Sequence, residues 1–399
     1  MALCSVAHPL LNVNICTAKP PKLSTSFSLR PIHPFLKCRQ RAVSSMPRAL
    51  LGEAGRRGYT SVLIVPTGVG AAIGGFAGDA LPVARAMASV VDCLISHPNV
   101  LNAAMLYWPM PNALYVEGYA LDRFAEGLWG LQAVHQNKVE KWVDAHTGQS
   151  TGRIGHPDSL LRAVDTLINC AGVNAVAVVG RFPDDNLDEL EDYRQGKVRF
   201  NQAHAGVDIL AGVEAIISHL VVKEFHIPCA HAPALLPLPL DSSLCPRSAA
   251  EEIGYTFLPS VLAGLSKAPQ YVVKKEEYPG FVSRHGCLWA DVVDSVVVPI
   301  DACGGSGILA FGKKVGYKPL IIGVEENETV LDDTPDKLGL NVLKVANYWE
   351  ALGVIAAHKS GIDPKSLRRD GVKHIQFSSS MLQQNFIPDS GLQNSTVLH

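Results

Sequence analysis

Residues 61–79 read SVLIVPTGVGAAIGGFAGD, and this stretch decides the fold class. It begins with an apolar, β-branched run, breaks at Pro66, and continues through five glycines before helix-forming residues follow from Ala80. In α/β proteins, a strand, a glycine-rich loop and a helix in this order bring backbone N–H groups and a helix N-terminus close to an anionic ligand. Residues 295–307, SVVVPIDACGGSG, repeat the arrangement. The two units predict an α/β protein that binds a ligand.

Short apolar strands alternate with helical patterns along the rest of the chain, which indicates a parallel sheet covered by helices on both faces. The pattern predicts a doubly wound, mainly parallel sheet, and the likeness of the two glycine-loop units suggests two similar halves. The predicted strands are 61–65, 100–106, 175–179, 295–299 and 319–324. The predicted helices are 81–94, 158–170, 207–222, 249–265 and 340–358.

The first 48 residues differ in composition from the rest of the chain. They contain no Asp or Glu, carry seven basic residues and are rich in Ser, Thr and Pro, as organelle transit peptides are. The Met-Ala start and the segment SLRPIHPF favour a plastid over a mitochondrion. The sequence therefore predicts a plastid transit peptide over residues 1–48, an α/β domain of one or two lobes over 49–376, and a flexible tail over 377–399.

Charge and hydropathy exclude several classes of partner. Removal of residues 1–48 leaves 28 basic and 37 acidic residues, a net charge of −9, which is not typical of proteins that bind nucleic acid. No apolar run reaches the roughly 18 residues that a membrane-spanning helix needs, so the sequence predicts a soluble protein of the plastid stroma. The predicted partner is a small anionic metabolite, with no cofactor, nucleic acid or membrane, and assembly as a homo-oligomer is left open.

Several long motifs resemble those of a known family. They are VPTGVGAAIGGFAGDALP, HPNVLNAAMLYWP, PNALYVEGY, ISHLVV, IPCAHAPAL, and ACGGSG followed by VEENETV. These motifs are similar to an uncharacterised family of cyanobacteria and plant plastids, known as a domain of unknown function. The resemblance covers nearly all of the chain after residue 48 and supports plastid targeting. It implies no established activity, so the chemistry rests on the residues themselves.

The first glycine loop does not match the well-known nucleotide-binding patterns. Its spacing, Gly-x-Gly-x-x-x-Gly from residue 68, is one residue too long for the dinucleotide fingerprint, and it lacks the Gly-Lys-Ser/Thr of a P-loop. Its backbone amides and a threonine hydroxyl predict a more general site for an anion or a carbonyl group. Close packing of a helix against the sheet would also explain the glycines. The predicted ligand-binding residues of this loop are Thr67, Gly68, Gly70, Gly74, Gly75 and Asp79.

The second glycine loop adds chemically active side chains. Cys303 follows a predicted strand end and precedes Gly304, Gly305 and Ser306, which are predicted to bind the ligand. A helix N-terminus at this position would lower the pKa of the thiol and favour a nucleophilic thiolate, with Asp301 as its base or orienting group. Cys303 and Asp301 are therefore predicted catalytic residues. The structural alternative is a small residue in a tight loop beside a turn-forming aspartate.

Further polar residues follow the next predicted strand. Glu325, Glu326 and Asn327 come directly after the apolar run PLIIGV, and residues just beyond parallel strands line the ligand crevice of such sheets. Glu326 is predicted to be catalytic, and Glu325 and Asn327 are predicted to bind the ligand, with an acidic surface turn as the alternative. The segment HIPCAH (226–231) has zinc-like spacing but no evident fourth ligand, so no metal site is predicted.

The leading functional hypothesis is a cofactor-independent enzyme that acts on a small anionic metabolite held between the two glycine loops. Its chemistry would be that of an isomerase, a racemase or a transferase. The alternative is a non-catalytic stromal metabolite-binding or assembly factor, in which the aromatic segment 107–129 would be an exposed interface. A nicotinamide-dependent oxidoreductase is disfavoured by the missing fingerprint. The enzyme hypothesis requires the two glycine loops to lie together in the folded protein.

Overall fold

The computed structural model describes the backbone of residues 6–8 and 11–14, and residues 57–66, 71–76, 78–101, 108–132, 157–181, 195, 209–233, 242–251, 258–273, 287–316 and 318–368. The chain forms a unit of residues 1–356 and a smaller unit of residues 357–399. The strands are β1 (Val6–His8), β2 (Leu11–Asn14), β3 (Thr60–Leu63), β4 (Cys93–Ser96), β5 (Ala113–Tyr115), β6 (Trp129–Gln132), β7 (Val176–Arg181), β8 (Cys229–Pro233), β9 (Gln270–Val273), β10 (Cys287–Leu288), β11 (Val293–Pro299), β12 (Leu320–Val324) and β13 (Leu343–Val345). The helices are α1 (Leu81–Val90), α2 (Gly118–Ala125), α3 (Pro157–Ala171), α4 (Ile209–Phe225), α5 (Pro246–Glu251), α6 (Leu258–Leu265), α7 (Ser306–Lys313), α8 (Pro335–Leu338) and α9 (Tyr348–Lys359).

A six-stranded sheet of order β5-β4-β3-β11-β12-β13 lies at the centre of the larger unit, and each strand is parallel to its neighbours. The chain begins this sheet with β3, adds β4 and β5 on one side, and later adds β11, β12 and β13 on the other. The strand order therefore reverses between β3 and β11, with three strands on either side of the reversal. This arrangement confirms the predicted α/β class and the parallel sheet.

The central strands consist of residues suited to a sheet that is buried on both faces. Every residue of β3 and β11 is buried. Val62 and Val296 belong to the core on one face, and Leu63 and Val297 belong to the core on the other. The core on the first face includes residues of α2, α3, α4 and α7, and the core on the second includes residues of α1, α6 and the first turns of α9. The sheet is thus doubly wound, as predicted.

Two smaller sheets complete the larger unit. One has the order β1-β2-β7-β8, with β2 antiparallel to β7 and β7 parallel to β8. The other is antiparallel and has the order β10-β6-β9. Strands β1 and β2 fall within residues 1–48, whose removal as a transit peptide stays a prediction. None of the helices in the described part of the chain is long and apolar enough to cross a membrane.

The predicted elements differ from the structure where the real strands are short. The strand expected over 100–106 is wrong at Val100 and Leu101, which are helical, and residues 102–106 lie outside the described ranges. The helix expected over 81–94 ends at Val90, and residues 93 and 94 of the expected range belong to β4 instead. The helix expected over 340–358 is interrupted by β13 before α9 begins. A strand of three or four residues is too short for the alternation of apolar and polar side chains to distinguish it from a helix.

The smaller unit is described as far as residue 368. It contains the end of α9 and a 3-10 helix over Pro364–Leu367. The Asp363 carboxylate caps this turn by accepting a hydrogen bond from the Lys365 N–H at 2.9 Å. The tail predicted over 377–399 lies outside the described residues.

Candidate functional site

The two glycine loops begin at the ends of neighbouring strands. Leu63 of β3 pairs with Val297 of β11 in parallel register, and the Ile64 N–H donates to the Val297 carbonyl at 2.9 Å. Both strands therefore end on the same edge of the sheet, at the point where the strand order reverses. In open parallel sheets this is where a crevice opens between the connections and where ligands bind.

The first glycine loop is described from Ala71 onward, so Thr67, Gly68 and Gly70 lie outside the described residues. At Gly74 the backbone has a φ of +90°, a conformation that L side chains rarely adopt. A Cβ at this position would also collide with Cγ1 of Val65. Glycine is therefore required here to let the loop turn back tightly over the end of its own strand.

Asn327, in the segment that follows β12, is hydrogen-bonded to this loop. It is fully buried, and its Oδ1 accepts a hydrogen bond from the Ile73 N–H at 2.7 Å. Its Nδ2 donates to the Ile73 carbonyl at 2.9 Å and to the Tyr348 hydroxyl at 2.8 Å. The N–H of Ala72 donates to the Glu328 carbonyl at 2.8 Å beside it. Asn327, predicted to bind a ligand, thus uses its amide to position the loop.

The residues after β4 hold the same loop from the other side. The Val65 N–H donates to Nε2 of His97 at 3.0 Å, and burial lowers the pKa of His97 to about 4, so the ring stays neutral and can accept. The side-chain amide of Asn99 donates to the Gly74 carbonyl at 3.0 Å, and its backbone carbonyl accepts from the Gly78 N–H at 2.8 Å. These bonds position the described residues of the loop. His97 also occupies the strand end at which dinucleotide-binding folds carry an acidic residue.

An arginine that the sequence did not single out lies beside the first loop. Arg247, on α5, donates from Nε to the Asp79 carboxylate at 2.8 Å, and its guanidinium lies 4.9 Å from the centre of the Phe76 ring. Burial raises the pKa of Asp79, against the opposing effects of Arg247 and of the N–H groups of Gly74 and Phe76. Nη2 of Arg247 also donates to the Ala71 carbonyl at 3.4 Å, and the side chain keeps 32% of its surface exposed.

Cys303 is a buried thiol at the end of β11. Its Sγ lies 3.5 Å from the Ile300 carbonyl and 3.8 Å from the Pro299 carbonyl, as the donor to both. Burial, together with the negative charges of Asp301 and Asp333, raises the pKa of the thiol to about 11. The expectation of a lowered thiol pKa is therefore wrong, because desolvation and nearby carboxylates oppose the thiolate. The nucleophilic role of Cys303 stays a prediction without support from its surroundings.

The other two predicted catalytic residues have structural partners. The Asp301 carboxylate accepts hydrogen bonds from the Thr329 N–H at 2.8 Å and the Thr329 hydroxyl at 2.9 Å. Glu326 accepts from the Tyr348 N–H at 2.7 Å, at the start of α9, and both Glu325 and Glu326 are exposed. Within the described ranges, no hydrogen bond joins Cys303, Asp301 and Glu326 to one another. The three predicted residues share one edge of the sheet without forming a catalytic chain.

The second glycine loop is partly filled by carboxylates of the protein itself. The Gly307 N–H, in the first turn of α7, donates to Oδ1 of Asp122 at 2.8 Å, and burial raises the pKa of Asp122. A Cβ at Gly304 would collide with Oδ2 of Asp333. Close internal packing therefore explains these two glycines. Gly305 and Ser306 differ, since both are exposed and a Cβ added at Gly305 would meet no atom within 4 Å.

A carboxylate–histidine pair lies on the α7 side of the sheet. Glu117 follows β5, and its buried carboxylate caps α2 by accepting from the N–H groups of Tyr119 at 2.9 Å and Ala120 at 3.3 Å. The same carboxylate binds Nδ1 of His219 on α4. The sequence analysis missed Glu117 because the short strand before it was not predicted. Its signal was an acid directly after the apolar run 113–116.

The segment 226–231 contributes no metal centre to the described structure. Cys229 donates to the Ala230 carbonyl at 3.6 Å, and His231 bonds to the Ser218 hydroxyl at 2.6 Å. The His226 ring packs edge-on against Trp129 at 5.1 Å. In the part of the chain that the structure describes, no group of three or more His, Cys, Asp or Glu side chains is placed to hold a metal ion.

Cys303 is expected to resist alkylation in the folded protein, whereas the exposed Cys170 reacts. A rise of the thiol pKa from 9.0 to about 11 lowers the thiolate fraction at pH 8 about 100-fold, and burial adds a steric barrier. The measurement is the rate of carbamidomethylation by iodoacetamide, followed peptide by peptide. Alkylation of Cys303 at the rate of Cys170 would contradict the buried, neutral thiol and restore it as a nucleophile.

Comparison with known proteins places this chain among relatives without an assigned activity. A family profile described as "Protein of unknown function (DUF3326)" matches residues 60–145 and 139–368. The chain is 47% identical, over 371 aligned residues, to an uncharacterized lipoprotein of a Synechococcus strain, and the alignment covers 82% of this chain and 98% of that protein. No solved structure matches the chain.

Proposed function

Since the chain belongs to the DUF3326 family, for which no activity is established, we propose a function from the site itself. The protein binds a small anionic metabolite in the crevice between the two glycine loops. The observation that carries this proposal is the register of β3 and β11, which sets both loops side by side where the strand order reverses. The composition of residues 1–48 supports the plastid stroma as its location.

Arg247 supplies the charge that an anion would need. Its guanidinium is fixed by Asp79 on one side and by the ring of Phe76 on another, while a third of the side chain faces solvent. Guanidinium groups bind carboxylates and phosphates in a planar, two-point manner. Asp79 neutralises part of this charge, so the balance between Arg247 and Asp79 sets the strength with which an anion is held.

The second loop offers exposed backbone at the same edge of the sheet. Gly305 is the N-cap of α7, and both it and Ser306 are exposed. The N-terminus of a helix favours negative charge through its dipole and its unpaired N–H groups. In this proposal an anion between the loops is bound by Arg247, beside the first loop, and by the start of α7.

A thermal-shift screen of the full chain tests this proposal. The panel contains inorganic phosphate, small carboxylates, phosphate monoesters and nucleotides, at constant ionic strength set with chloride. A ligand at a hundred times its dissociation constant stabilises the folded state by about 2.7 kcal/mol, which raises Tm by several degrees. Failure of every compound to shift Tm in a saturable way would overturn the proposed function.

Two substitutions with opposite expected signs test the role of Arg247. Arg247→Gln is expected to weaken anion binding at least tenfold, since it removes the charge but keeps a polar side chain of similar reach. Asp79→Asn is expected to tighten binding, because Arg247 then loses its internal counter-charge. Arg162→Gln, an exposed arginine on α3, is the matched control and leaves binding unchanged. Weakening by Asp79→Asn would show that the pair only holds the loop in place.

A further inference from the structure

Glu117 and His219 form a buried carboxylate–exposed imidazole pair outside the set of residues that the sequence singled out. Glu117 has only 3% of its side chain exposed, whereas His219 has 43% exposed. Nδ1 of His219 bonds to the buried carboxylate, so Nε2 is the ring nitrogen that this bond leaves available. In acid–base catalysis, a carboxylate that binds one ring nitrogen fixes the tautomer and leaves the other nitrogen free to take a proton.

The pair is rigidly supported by the fold. Glu117 is fixed by two backbone N–H groups of α2, and the rings of Tyr119 and His219 lie 6.4 Å apart. A Cβ at Gly118 would come within 3.3 Å of Cε1 of His219, so glycine leaves room for the imidazole. A preorganised proton acceptor needs support of this kind, since its position must not vary while it reacts.

The charges around His219 favour proton uptake. Burial opposes the imidazolium, but the hydrogen bond and charge of Glu117, with the charge of Asp122, outweigh burial and raise the pKa of His219. His231, on β8, does not compete for the proton, because burial and the charge of His219 lower its pKa to about 3. A histidine that titrates above its ordinary value of about 6.5 is suited to exchange protons near neutral pH.

The pair lies beside the second glycine loop. Asp122, whose charge acts on His219, also accepts the hydrogen bond from Gly307 in the first turn of α7. Glu117 caps the N-terminus of α2, and Asp122 lies farther along the same helix, so the helix that begins at the pair also contacts the first turn of α7.

We propose that His219, oriented by Glu117, is the catalytic base that removes a proton from the carbon beside the carboxylate or carbonyl group of the bound metabolite. The proton passes to Nε2, and the electron pair of the broken C–H bond moves into the carbonyl group to form an enolate. Return of a proton from solvent to the opposite face of that carbon completes a racemisation, and the proton on Nε2 is then released to solvent. This step needs no oxidant, reductant or cofactor. The proposal rests on the proposed function for the position of the ligand.

Reaction with diethyl pyrocarbonate tests the pair without any metabolite. The reagent acylates an unprotonated, accessible imidazole nitrogen, and peptide mass spectrometry measures the rate at His219 in the full chain. We expect rapid acylation, with a midpoint of the rate–pH profile above about pH 6.5 that moves to lower pH in Glu117→Gln. An imidazole that stays unmodified in the folded protein, or a profile that Glu117→Gln leaves unmoved, would overturn the proposal.

Deuterium exchange tests the catalytic step on any compound that the thermal-shift screen finds to bind. In D₂O the wild-type protein is expected to place deuterium on the carbon next to the ligand's carboxylate or carbonyl group. His219→Gln is expected to slow this exchange at least 100-fold while it keeps the ligand-induced rise in Tm. A ligand that binds without exchange in the wild type would overturn the proposal. Absence of any binding ligand would overturn the proposed function and with it the catalytic role of His219, whereas the reagent profile would still decide whether Glu117 orients the imidazole.

Discussion

Replacement of Asn327 by alanine is expected to lower the free energy of unfolding by about 3–5 kcal/mol. The substitution leaves the N–H and carbonyl of Ile73 and the hydroxyl of Tyr348 without the three hydrogen bonds that the buried amide makes. An unsatisfied buried polar group costs about 1–3 kcal/mol, and the three groups here share one desolvated site. The measurement is the urea midpoint at constant slope.

A graded series separates lost hydrogen bonding from lost volume. Asn327→Asp keeps the size and the acceptor for the Ile73 N–H, but a carboxylate cannot donate to the Ile73 carbonyl, so destabilisation should persist. Asn169→Ala, at an exposed position of α3, is the matched control and should change stability by less than about 0.5 kcal/mol. Similar stability of Asn327→Ala and the control would show that the hydrogen bonds of Asn327 do not stabilise the folded protein.

The loss of Asn327 should also affect the proposed ligand site. The amide connects the first glycine loop to the segment after β12 and to the start of α9. Without it, the loop amides are no longer held in one arrangement, and an anion must order them as it binds. Anion affinity is therefore expected to fall together with stability, since preorganisation is lost. Unchanged affinity in a destabilised variant would place the ligand away from this loop.

Phe124→Ala is expected to lower the free energy of unfolding by about 3–5 kcal/mol. Phe124 is fully buried on α2, and its ring meets Phe311 of α7 edge-on, with ring centres 6.4 Å apart. Removal of a buried aromatic ring loses its transfer free energy and leaves a cavity that the packed helices only partly close. Trp349→Ala is the control, because Trp349 is 81% exposed and should contribute little.

A double-mutant cycle isolates the contact between the two helices. Phe124→Ala and Phe311→Ala should be coupled by about 0.5–1.5 kcal/mol, the range of aromatic pairs beyond their buried area. This packing also sets the distance between Asp122 and Gly307 and, through α2, the position of Glu117. Strict additivity of the two substitutions would mean that the rings do not stabilise one another.

The sequence predicted the parts of the fold that local pattern controls. The runs before Pro66 and Ile300 are apolar and β-branched, so the two central strands and the parallel sheet could be predicted from them. The glycines after each run marked tight turns, and at Gly74 the positive φ confirms that a turn there requires glycine. The strands of three or four residues were not predicted, because so few residues cannot show the alternation of apolar and polar side chains that identifies a strand.

The sequence by itself determined the α/β class, the two strand–glycine-loop–helix units and the edge of the sheet at which we propose the site. Only the tertiary structure decided which polar groups lie at that edge and what they contact. It buried Cys303 among carboxylates, which raises the pKa of the thiol, and it used Asn327 to fasten a loop. It also brought His219 to Glu117, 102 residues apart in the chain. Burial and charge depend on neighbours that are distant in sequence, and no local pattern records them.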